Sequence, residues 1–263
     1  MKIYICFLLI IFRTISAANV TDIHTQIKKI LAQEDEYIFY RSLNRPFIII
    51  SLGINCQVAW YSRELGLRDY AYPFDWCISS HTGVYRLIKN DFKEFFKREN
   101  LIKDTYHTVK DTLYDIRFAH DFPAEHANAA ASDDTTIHHG GTILENYMDV
   151  YDELNQKYQR RIERFYWAIN SGKKIFFVRI FDITKQDAIE LHDLIKQKFP
   201  ALDYELVVLG QYEEYKESWN VPHLHTFYVA KETVHDFWPG YAQTWQQVYS
   251  DLSIWPDNYS RFS

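Results

Sequence analysis

At 263 residues, with 47% apolar and 24% charged side chains, the chain is long enough to bury one substantial core. A net charge of −6 leaves no basic excess to neutralise phosphates, which argues against nucleic acid or an anionic membrane as partner. Three Cys are too few for a disulfide framework or a zinc cluster, and no Gly-rich phosphate loop or other cofactor motif is present.

The N-terminus predicts an export signal. Lys2 is followed by an apolar run, Ile3 to Phe12, and by the small residues Ser16-Ala17-Ala18. Such a run covers about 15 Å as helix, half a bilayer core, so no stable membrane span is expected. Residues 1–18 are thus expected to be a cleaved signal peptide, and 19–263 a single α/β domain in a secreted or extracytoplasmic protein. Cleavage would remove Lys2, Arg13 and Cys6 and leave the balance more acidic. Cys56 and Cys77 would remain, and an oxidising compartment would allow a bridge between them. Asn19-Val20-Thr21 and Asn258-Tyr259-Ser260 match the glycosylation pattern.

Ile23, Ile27, Ile30 and Leu31 share one helical face, which predicts a helix over 22–33. Phe47-Ile48-Ile49-Ile50-Ser51-Leu52 is short and β-branched and ends at Gly53, the pattern of a buried strand. Asn55 can then cap a helix from Cys56 to Leu65, closed by Gly66. Residues 81–96 read as helix and 105–118 as one or two strands. Residues 119–141 read as a long polar loop. Thr142 and Glu145 form a capping-box pattern ahead of a periodic helix that ends at Gly172. Ile175 to Phe181 reads as a strand, Thr184 and Asp187 open another helix, and Tyr204 to Leu209 and Leu224 to Val229 read as strands. The ring-rich tail, Phe237 to Trp255, is expected to pack back on the body. Alternating strands and helices predict an α/β fold, a mainly parallel sheet flanked by helices in a single domain.

The chemistry points to Cys56. It falls where a strand turns into a helix, the carboxyl end of a strand in a parallel sheet, where ligands bind. Backbone N–H groups at the positive helix end would lower the thiol pKa and could hold an oxyanion. His120, at the end of a predicted strand, is the best candidate base. Asp121, Asp75 or an unidentified Asn could orient it. Asn55, Arg68 and Trp76 would line the cleft; a packed turn with a buried salt bridge is the plain alternative for residues 66–77. His223 and His225, two apart on a strand, could share a face, but no third ligand has matching spacing, so no metal site is expected.

Ser51-Leu52-Gly53, Asn55-Cys56, Gly66-Leu67-Arg68, Pro73-Phe74-Asp75-Trp76 and His120-Asp121 together resemble a domain family of otherwise unknown function grouped with papain-like cysteine peptidases. The resemblance spans roughly residues 46–210. It implies Cys56 as nucleophile and His120 as its base, in a hydrolase of amide or thioester bonds with a protein or peptide substrate. The Cys-Gly-Ser-Cys-Trp surroundings of the papain enzymes are missing, and no Gln stands a few residues upstream of Cys56. The competing reading from a different class is a non-catalytic exported domain that binds protein or glycan through its rings.

Overall fold

The computed structural model describes residues 45–105, 108–125, 142–181, 183–229 and 242–254. The chain divides into two units, Met1–Arg45 and Pro46–Ser263, and every described strand and helix belongs to the second. The expected signal, the helix over 22–33, both glycosylation patterns and most of the 119–141 loop lie outside the described residues.

The strands are β1 (Phe47–Ser51), β2 (Cys77–Ser79), β3 (Leu101–Thr105), β4 (Thr108–Asp111), β5 (Ile116–Phe118), β6 (Lys174–Ile180), β7 (Tyr204–Gly210) and β8 (Leu224–Tyr228). The helices are α1 (Gln57–Glu64), α2 (His81–Lys89), α3 (Tyr151–Ile169), α4 (Lys185–Lys198) and α5 (Ala242–Asp251). The strands make two sheets, not one. The order β1-β6-β7-β8 is parallel throughout, whereas β2-β5-β4-β3 is antiparallel. The expectation of a mainly parallel sheet is therefore met by only one of them. The antiparallel sheet escapes a reading by periodicity because its strands are three to five residues long, too short for alternation to register.

The parallel sheet is buried on both faces, as helical crossovers require. Along β1, Ile48 and Ile50 face a core shared with α2, α3, α4 and the second sheet. Ile49 faces a smaller core with Val58 and Tyr61 of α1 and Trp245 and Tyr249 of α5. The described part of the tail, residues 242–254, does pack back, through Trp245 stacked on Tyr61 at 5.2 Å.

Two helix ends differ from expectation. Helix α2 stops at Lys89, and Asp91, Phe92, Glu94 and Phe96 take positive φ in an irregular turn. Phe92, Phe95 and Phe96 imitate helical spacing because all three are core anchors. The capping box expected at Thr142 and Glu145 does not form: the Thr142 carbonyl accepts from Glu125 N–H, and Glu145 pairs with Lys103. Helix α3 starts at Tyr151 after a 3₁₀ turn. At α4 the expected box is present, with Thr184 and Asp187 satisfying each other's backbone N–H.

The rings fill the larger core. Phe96 is fully buried, stacks on Tyr158 at 4.4 Å and meets Phe118 edge-on at 4.9 Å. Phe96→Ala removes contacts between α3 and the second sheet and should cost about 3–5 kcal/mol. Urea unfolding followed by tryptophan fluorescence measures the loss.

Candidate active site

Strand β1 runs apolar to Ser51, and the chain then has to turn sharply under the second sheet. Gly53 makes this possible. It has φ +81°, and a Cβ there would lie 1.8 Å from Ser79 Oγ. Ser79 N–H donates to the Ile54 carbonyl at 2.9 Å, so β2 is bonded directly to the turn. Beneath it lies Arg179 of β6, wholly buried. Its Nη1 donates to the Leu52 carbonyl and, at 3.2 Å, to Ser79 Oγ, and its Nη2 donates to the Ser79 carbonyl at 3.0 Å. One guanidinium thereby ties the end of β1 to β2. The sequence offered one overlooked signal for this residue, a lone cation within the apolar run of β6.

Cys56 itself is the N-cap of α1, in helical conformation, and Asn55 Oδ1 accepts from Gln57 N–H at 2.9 Å. Asn55 therefore secures the helix start. The Gln57 N–H is already paired with it and is not open to an oxyanion.

The second sheet brings the histidine. Strands β2 and β5 pair Cys77 with Phe118, so the residues just before β2 and just after β5 lie side by side. Trp76 precedes β2 and His120 follows β5, and their rings meet edge-on at 6.1 Å. Trp76 takes φ +62°, a left-handed backbone that costs a bulky residue about 1–2 kcal/mol. Cys56 Sγ and His120 Nε2 lie 3.3 Å apart, although 64 residues separate them in sequence. The pair thus joins the ends of two sheets, with the sulfur buried and the imidazole exposed.

The electrostatics overturn one expectation. The Cys56 thiol is not acidified; its pKa is pushed up to about 11. Burial is the largest cause, the charge of Asp75 adds to it, and the backbone N–H of Cys56 pulls back only in part. Loss of water outweighs the helix end because the thiolate gives up a full hydration shell for partial charges. At rest the thiol therefore keeps its proton at neutral pH.

The two carboxylates considered as orienting groups are each engaged elsewhere. Asp75 is wholly buried; it accepts from Arg68 Nε at 2.9 Å and from Tyr72 N–H at 3.1 Å. Burial raises its pKa, while Arg68, the Tyr72 N–H and Arg161 act against that rise. This is the packed turn with a buried salt bridge. Asp121 points inward, where Lys157 and Tyr158 hold its two oxygens. Tyr158 carried no sequence signal beyond its helical spacing, and Lys157 carried none. Arg68 also lies over the Trp76 ring, 5.5 Å from its centroid.

Cys77 is a free, buried thiol whose Sγ lies 3.2 Å from the Phe74 carbonyl, so the Cys56–Cys77 bridge is not formed. His223 and His225 do share a face, but both meet Glu205, at 3.5 and 2.9 Å, where Lys174 Nζ already sits at 2.7 Å. Among the described residues no group of three His, Cys, Asp or Glu is arranged to hold a metal, and no helix is long and apolar enough to cross a membrane.

The chain is similar to an uncharacterised protein of Acanthamoeba polyphaga mimivirus, 31% identical over 157 residues, which are 52% of this chain and 63% of that protein. The matched part thus spans under two thirds of that relative. No solved structure matches significantly. A family model matches residues 47–209, from the first residue of β1 to the penultimate residue of β7, and so takes in Cys56, Trp76 and His120. With more than half its length matched, the chain belongs to the family described as "Putative papain-like cysteine peptidase (DUF1796)".

Proposed function

We propose that the protein is a thiol-dependent hydrolase of amide or thioester bonds in a protein or peptide substrate, with Cys56 as nucleophile and His120 as base. The observation that carries this reading is the 3.3 Å approach of Sγ to Nε2. With the thiol pKa near 11, the working base is the imidazole. Nε2 takes the proton as Sγ attacks the carbonyl carbon. The tetrahedral oxyanion collapses, the imidazolium protonates the leaving amine or thiolate, and a thioester to Cys56 remains. Water then attacks, Nε2 again takes a proton, and the acid leaves with the thiol restored. Asn55 is the proposed oxyanion donor, through its Nδ2, since its Oδ1 is engaged by Gln57 N–H. Arg68 and Asp75 are proposed to stiffen the wall that carries Trp76.

The raised thiol pKa favours the second reading, a non-catalytic binding domain, because a buried neutral thiol without base assistance is inert. Competitive labelling separates the two. Iodoacetamide at pH 7.5 should modify Cys56 at least about a hundredfold faster than Cys77, the gain typical of a positioned base. Peptide mapping by mass spectrometry gives both rates. Equal, slow labelling of the two thiols would leave the binding domain as the better account.

A further inference from the structure

Arg63 follows Cys56 by seven residues in α1, almost two full turns, so both lie on one stripe about 10 Å apart along the axis. A second route leads to the same place. The Arg63 guanidinium lies over the Trp76 ring, 5.2 Å from its centroid, and the same ring meets His120 edge-on. The cation is thus one indole away from the imidazole.

Two guanidiniums share that indole, but they differ in what holds them. Arg68 is only 12% exposed and donates to Asp75 and to the Tyr70 carbonyl. Arg63 is 51% exposed, and its ionic partner is the adjacent Glu64, itself 45% exposed, at 3.2 Å. A pair so open to water contributes little and exchanges easily for another anion. Stacking on Trp76 orients the guanidinium plane and leaves its edge donors suited to a carboxylate fork. In a chain of net charge −6, Arg63 is thus an exchangeable cation beside the proposed reactive pair.

We propose that this site prefers peptide substrates with a carboxylate about three extended residues from the bond attacked, since each residue spans about 3.3 Å, and that Arg63 is the residue that selects them. This rests on the hydrolase reading above. The test uses pairs of four-residue chloroacetyl peptides that differ only in Glu or Gln three residues from the reactive group, with each variant's iodoacetamide rate as reference. In the unmodified protein the Glu probe should label Cys56 about tenfold faster than the Gln probe at low salt, and the preference should shrink at 0.5 M NaCl. Arg63→Gln should bring the ratio near one, and Arg63→Glu should turn the preference toward a Lys probe. A ratio near one in the unmodified protein, with iodoacetamide still fast at Cys56, overturns the carboxylate preference and spares the hydrolase. If no reagent reacts quickly at Cys56, the hydrolase reading fails instead. The same peptides with an unreactive acetyl group, titrated calorimetrically into Cys56→Ala protein, then decide the preference alone: tighter Glu binding lost in Arg63→Gln upholds it, and equal binding refutes it.

Discussion

Exchanging His120 for asparagine should slow alkylation of Cys56 by iodoacetamide about a hundredfold at pH 7.5. The reason lies in the raised thiol pKa. With a value near 11, only on the order of one thiol in a thousand or fewer is ionised at that pH. Free thiolate therefore contributes little, and proton transfer to Nε2 at 3.3 Å has to supply the reactivity. The pH profile carries the sign. With the imidazole present, the rate should fall as acid protonates the ring, stay level above that, and climb again only where free thiolate overtakes the assisted route, about two pH units above 7.5. Without the imidazole, the rate should climb about tenfold per pH unit and level off only near 11. Stopped alkylations resolved by intact mass between pH 5 and 11 yield both curves. Superimposable curves would show that His120 takes no proton from Cys56.

Gly53→Ala should destabilise the fold by about 3 kcal/mol or more, the sum of a left-handed backbone and a steric overlap. The added Cβ would lie 1.8 Å from Ser79 Oγ and 3.1 Å from Arg179 Nη1. Neither neighbour can yield cheaply, because Arg179 is buried and bonded to Ser79 and to the Leu52 carbonyl. Gly172 provides the comparison. It has φ +72° but nothing within 4 Å of a Cβ, so Gly172→Ala should cost only about 1 kcal/mol. Chemical denaturation of the two variants side by side measures the difference. Equal losses would mean that the turn has room that the packing around Ser79 denies it.

Cys56 and His120, which the structure brings to 3.3 Å, could be singled out from sequence because each stands at a strong local boundary. The β-branched run ending at Gly53 marked the strand before Cys56, and the end of β5 marked His120. The second sheet was hidden by strand length, and the end of α2 by the aromatic triplet Phe92, Phe95 and Phe96. Hydrophobic spacing reports which side chains are buried, and an irregular turn can bury the same ones as a helix. The ionisation of Cys56 escapes the sequence for a different reason. A helix N-terminus is visible there, whereas the burial that removes water from the thiol is a property of the packed fold. The fates of Asp75 and Asp121 depend likewise on partners from other segments, namely Arg68, Lys157 and Tyr158. Arg179 reaches partners 100 and 127 residues away, so no window along the chain contains them.

The high pKa of Cys56 also bears on how the molecule ages. Peroxides and disulfides such as oxidised glutathione react with sulfur anions far faster than with protonated sulfur. For the nucleophile proposed above, a standing thiolate fraction so small leaves those oxidants little more than the base-assisted route. The same desolvation that holds back the resting thiol would therefore preserve it from sulfenic acid and mixed disulfides.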